Sequence, residues 1–228
     1  MDFTTLKIPG AEAIRLLNEH RSRYSATGQY PFLIGDETEL EMLKEVAEFS
    51  ERNAAMIISA SFDLNIAKQI AERQSEAEED GWFSPDAIDE VLGNWPDGIV
   101  EKGSIGLHKD VLSQKVKPEI YLGLAKIEKA WHLPAVLKYG NWNDCPGPEI
   151  HCAFHREWHE AFGAEITGMS HDVVECTVRN PPTDQKAALA LAWEQYWYCS
   201  DIVYQGCGSV SYLAATLMNS PYWYFWWD

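Results

Sequence analysis

The sequence predicts an α+β protein: a ferredoxin-like (split βαβ), mainly antiparallel sheet in the C-terminal half, preceded by an acidic, mixed helical N-terminal portion. Three observations lead there. From Leu133 onward the apolar patterning reads strand, helix, strand, strand, helix, helix, strand, which is the split βαβ order with one helix added. Before residue 118 the longest periodic segments have helical spacing and carry most of the acid. The composition is that of a globular chain, with 228 residues, 46% hydrophobic and 23% charged, enough to bury a substantial core. The chain therefore divides into an N-terminal portion, 1–117, and an α+β domain, 118–228, expected to form one compact unit with helices on one face of the sheet.

In chain order, residues 10–21 read as a short helix, and Tyr30–Gly35 as a strand ending in a glycine turn. From Asp36 to Glu51 the residues Leu40, Leu43, Val46, Ala47 and Phe49 or Ser50 recur near helical spacing. Asp36 and Thr38 are N-cap candidates, and the seven acids of this stretch form a solvated helix face. Residues 53–79 read as helical with a break near Ser61–Asp63. Gly81–Pro118, with its Trp95-Pro96-Asp97-Gly98 turn, reads as an irregular connection. Glu119–Ile127 and Leu133–Tyr139 are expected strands. Pro148–Phe162 is an expected helix, opened by proline and closed by Gly163. Ala164–Met169 and Val173–Arg179 follow as strands joined by Ser170-His171-Asp172. Thr183 is expected to cap a helix running to about Cys199, and a helix over Ser209–Asn219 stops before Pro221. Tyr222–Trp227 is aromatic at every position, which predicts a central strand buried on both faces, the alternative being a strand with one core face and one exposed face.

The 18 Lys and Arg stand against 35 Asp and Glu, a net charge of −17, and residues 1–100 hold 20 of the acids. Gripping a phosphate backbone needs clustered cations, so no nucleic-acid partner is expected. No run approaches the roughly 20 apolar residues of a membrane span, and the N-terminus lacks the charged and apolar regions of a signal peptide. The five cysteines are odd in number and form no C-x-x-C pair, so free thiols in a reducing cytoplasm are expected.

Several stretches together point to one family: Trp95-Pro96-Asp97-Gly98, Gly140-Asn141-Trp142-Asn143-Asp144-Cys145-Pro146, His151, Trp158-His159, Phe162-Gly163-Ala164-Glu165, Glu194-Gln195-Tyr196, Tyr198-Cys199, Asp201-Ile202-Val203, Gln205-Gly206 and Phe225-Trp226-Trp227-Asp228. The set resembles the bacterial DUF4253 family, most strongly from Trp142 to Asp228. The resemblance implies a bacterial, cytoplasmic setting and no particular reaction.

His151, His155 and His159 lie at i, i+4 and i+8 of the expected helix, so they share one face. The outer two are about 12 Å apart along the axis, so a straight helix can offer at most an adjacent pair to one metal ion. Cys145, His171 and Asp172 are third-ligand candidates by residue type. The segment His155-Arg156-Glu157-Trp158-His159 lacks the Glu placement of a zinc-protease motif. Cys145 precedes a helix start, where a thiol can become nucleophilic, with His151 as a base. Gln205-Gly206-Cys207-Gly208-Ser209 reads as a turn and helix cap. The candidate functional surface is therefore Trp142, Cys145, His151, His155, Trp158, His159, Asp201 and Gln205, with at least two of the imidazoles bordering a groove beside residues 142–146. No catalytic residue or cofactor is assigned. The acidity and aromatic surplus favour a non-enzymatic interaction or regulatory module, of an immunity-like kind, with a protein partner. The alternative is a metal-binding protein or hydrolase built on the histidine helix and the Cys145 loop.

Overall fold

Strand pairing joins the two portions of the chain into one sheet. The computed structural model describes residues 3–48 and 52–228. The strands are β1 (Phe3–Pro9), β2 (Gln29–Gly35), β3 (Glu119–Lys126), β4 (Ala164–Met169), β5 (Val173–Val178) and β6 (Tyr222–Trp226). The helices are α1 (Ala13–Thr27), α2 (Glu37–Glu48), α3 (Ala54–Ser61), α4 (Ile66–Glu79), α5 (Ile88–Leu92), α6 (Leu133–Leu137), α7 (Pro148–Phe162), α8 (Gln185–Tyr198) and α9 (Val210–Leu217). The sheet order is β1-β3-β2-β4-β5-β6. β2 and β4 run parallel, and the other neighbours run antiparallel. The α+β class holds, but the sheet is mixed, and strands from before residue 118 are interleaved with strands from after it.

The split βαβ order expected in the C-terminal half is missing one of its strands. Leu133–Tyr139 is not a strand: a 3-10 turn, Ala130–His132, runs into α6. All five residues of α6 are buried, and a short apolar run of that kind does not distinguish a buried strand from a buried helix. Pro134 decides it. It cannot donate within a sheet ladder but fits the first turn of a helix. The place beside β4 is taken instead by β2, whose residues Tyr30 to Gly35 are all buried. β1 had no clear signal, since its burial does not alternate cleanly along this edge strand.

β6 is the other edge of the sheet, not a central strand. Its alternation sends Trp223 and Phe225, with Trp227 just beyond, into the main core, and turns Tyr222, Tyr224 and Trp226 to the other side. Tyr224 is 46% exposed. The sheet is covered on both faces, in place of the one expected. On the first face α7 and α8 contribute Phe154, Trp158, Leu191 and Tyr198 to the main core. On the second, Ala13 and Leu17 of α1 pack with Leu33, Ile120 and Leu122, and Leu107 of the connecting segment joins them.

Local signals elsewhere act as read. Asp36 caps α2 by accepting from the Thr38 and Glu39 amides, and Glu39 accepts from the Asp36 amide in return, a reciprocal capping box. Leu40, Leu43 and Ala47 are its buried stripe, and the expectation for Phe49 or Ser50 lies outside the described residues. α3 and α4 break where expected and are capped by Asn53 and Asn65. α8 is capped by Asp184 where Thr183 was expected, and α9 by Ser209.

Candidate functional site

α7 places its histidines in the core. His151 is fully buried and His155 nearly so, while His159 is half-buried and its ring nitrogen lies 3.2 Å from the Ala164 carbonyl. The expected groove of imidazoles beside residues 142–146 is not formed, because Tyr198 of α8 closes over them. Its hydroxyl lies 2.5 Å from His151 Nδ1 and 3.0 Å from His155 Nε2. On the far side of each ring stands a thiol: Cys145 Sγ is 3.4 Å from His151 Nε2, and Cys176 Sγ is 3.8 Å from His155 Nδ1. The result is a buried polar chain, Cys145–His151–Tyr198–His155–Cys176. With both rings neutral, the tyrosine hydroxyl donates to one ring and accepts from the other.

The electrostatics make this chain quiet. Burial depresses the His155 pKa to about 3 and pulls that of His151 well below its usual value, so both rings are neutral at pH 7. Burial also raises the Cys145 and Cys176 thiols far above their usual range. A thiol so held is a poor nucleophile. Among the described residues no group of three His, Cys, Asp or Glu side chains is placed to hold a metal ion.

The rest of the expected surface is scattered. The Trp142–Cys145 turn is closed by a Cys145 amide bond to the Trp142 carbonyl, and Gly140 before it has positive φ and packs so closely on the Pro146 carbonyl that any side chain would collide. Trp158 is core: it stacks on Phe225 with centroids 5.3 Å apart and donates its N–H to Glu194. Asp201 accepts from the Gln205 side chain and the Asp228 amide, and Gln205 itself is exposed. Thus Cys145, His151, His155 and Trp158 are brought together, while Asp201 and Gln205 stand apart from them.

A different constellation lies on the second face of the sheet. There the segment 102–114 crosses β5 and β6 and leaves a cleft of about 660 Å³. Its polar groups include Glu39, Asp110, Asp172, Glu175, Lys102 and Lys109, and its aromatic wall is Tyr224 and Trp226. Strand alternation aims Glu175 here while its neighbours Val174 and Cys176 enter the main core. Glu175 is 2% exposed, and its carboxylate accepts from the Gly106 and Leu107 amides. Gly168 on β4 gives it room, since a Cβ there would press on both Glu175 and Leu107. Burial outweighs the two amides and raises the Glu175 pKa to about 7. Asp172 receives the Trp226 indole N–H at 3.2 Å, and His171 Nδ1 lies 3.3 Å from the other Asp172 oxygen. Lys102 is anchored to the Ala215 carbonyl at the end of α9.

Sequence reasoning placed Asp172 only among metal-ligand candidates and passed over Glu175, Tyr224 and Trp226. The signal for Glu175 was present, as an acid inside the apolar strand Val173-Val174-Glu175-Cys176. The signal for the other two was read as core.

No helix among the described residues is long and apolar enough to cross a membrane. Neither a curated protein nor a solved structure matched the chain. A family model described as a domain of unknown function, DUF4253, matches residues 121–228. That span takes in the polar chain and the β5–β6 side of the cleft, and residues 121–228 of this chain belong to the DUF4253 family.

Proposed function

We propose that the protein is a non-enzymatic interaction module that takes a cationic side chain of a protein partner into the cleft on the second face. The observation that carries this is the juxtaposition of carboxylates with an aromatic wall: Glu175 at the base, Asp172 bonded to Trp226, and Tyr224 beside it. A guanidinium or ammonium group meets both needs of such a site, pairing with carboxylates and lying over an aromatic face. The net charge of −17 draws basic partners toward the molecule as a whole. This reading moves the functional surface from the histidine helix to the opposite face of the sheet. It leaves the Cys145–Tyr198–Cys176 chain a structural role, which the neutral imidazoles and raised thiols support. A cytoplasmic setting accords with the five free cysteines.

The test is calorimetric titration with a blocked Gly-Arg-Gly peptide and its citrulline counterpart, which keeps the shape and loses the charge. The arginine peptide should bind saturably, more weakly as salt rises, and at least tenfold more tightly than the citrulline peptide. Asp172→Asn should remove most of the difference. Equal affinity for the two peptides would overturn the reading.

A further inference from the structure

Gln195 of α8 has no exposed surface, yet neither its side-chain oxygen nor its nitrogen has a hydrogen-bond partner. Buried amides are normally paired, because an unmet donor and acceptor both cost free energy. Gln195 lines a cavity of about 220 Å³ distinct from the cation cleft, where β6 meets α9 and the π-helical turn Ile202–Cys207. Trp223 lines the same cavity, and its indole N–H is likewise buried and unpartnered. The remaining wall is largely apolar, with Ile202, Leu213 and Leu217. The residues lining this apolar space, several times the volume of a water molecule, thus carry one unmet carbonyl acceptor, an unmet amide NH2 and an unmet indole N–H. π-Helical turns recur at functional sites, and this one forms part of the wall.

An amide side chain presents donor and acceptor in one plane. It pairs edge to edge with a group of the reverse pattern, as glutamine does with the edge of a base. We propose that this cavity binds a small planar ring bearing an amide edge, a carboxamide or a cyclic amide. The ligand N–H would donate to Gln195 Oε1, and its carbonyl would accept from Gln195 Nε2 and from the Trp223 indole. The apolar wall would take the ring. The site shares Tyr224 and Trp226 with the cation cleft but does not rest on the reading of that cleft.

The experiment is an NMR titration of the full 15N-labelled chain with nicotinamide and with 2-pyridone, using pyridine as the ring without an amide. The expected result is saturable movement of the Gln195 side-chain amide and Trp223 indole resonances with both amide probes, and at least tenfold weaker binding of pyridine. Gln195→Met should weaken both amide probes at least tenfold. Unmoved Gln195 and Trp223 resonances would overturn the proposal and mark the amide as satisfied by enclosed water. Equal binding of pyridine, or unchanged amide-probe binding by a folded Gln195→Met, would overturn it as well. Should that variant not fold, the titration of the unaltered chain decides. Arginine-peptide binding plays no part in the readout, so the two sites stand or fall separately.

Discussion

The Tyr198 hydroxyl lies 2.5 Å from His151 Nδ1, with both side chains sealed from solvent. The same hydroxyl also reaches His155, so one oxygen satisfies an inner nitrogen of each buried ring. Tyr198→Phe keeps the packing and leaves both nitrogens unmet. Each unmet buried group costs about 1–3 kcal/mol, so the variant should lose about 2–6 kcal/mol of unfolding free energy in urea. A loss below about 1 kcal/mol would show that the rings find other partners.

Glu175 should make the protein less stable as pH rises. Its pKa in the fold, about 7, lies above the ordinary 4.5, so its contribution is fully present below pH 4.5 and is lost as pH rises through 7. The shift corresponds to about 3 kcal/mol. Urea unfolding across this range should show this as a difference: the stability of the unaltered protein relative to Glu175→Gln should fall as pH rises from 4.5 through 7. An unchanged profile in the variant would mean that Glu175 is already ionised at acid pH.

The buried histidines act in the opposite direction. Their pKa values in the fold lie below the ordinary 6.5, so their contribution is present above pH 6.5 and is lost as pH falls toward about 3. In the Glu175→Gln background, where Glu175 no longer opposes them, these two rings should lower stability by up to about 2.7 kcal/mol per pH unit below pH 6, each taking up one proton on unfolding. Stability that stays flat from pH 6.5 to 5 would contradict neutral imidazoles.

Neighbouring aromatics at the C-terminus should differ sharply. Trp227 is buried in the main core, whereas Tyr224 is 46% exposed on the cleft wall. Trp227→Ala should cost about 3–5 kcal/mol, and Tyr224→Ala within about 1 kcal/mol while weakening arginine-peptide binding. Equal costs would mean that both faces of β6 are core after all.

Elements whose ends carry chemical marks were legible. Pro148 and Gly163 delimit α7, and Ser209 caps α9, as local residue chemistry alone indicates. Leu133–Leu137 was not legible, because an all-apolar pentapeptide has no period to read. Nor was the pairing of β2 with β4, a contact between segments about 130 residues apart in sequence. At the site, periodicity correctly put His151 and His155 on one face of α7. What it could not supply was the identity of the element covering that face, and Tyr198 arrives from another helix. The aromatic run Tyr222–Trp227 misled for a related reason: alternation shows that two faces exist, while burial depends on β6 being an edge.

The proposed recognition site is on the second face of the sheet, at Glu175, Asp172 and Trp226. Chemical-shift mapping of the 15N-labelled chain with the Gly-Arg-Gly peptide tests it most directly. The Gly106 and Leu107 amides and the Trp226 indole should move, with the amides of α7 unmoved. Shifts centred on His151–His159 and the Cys145 turn, with Gly106 and Trp226 still, would contradict it.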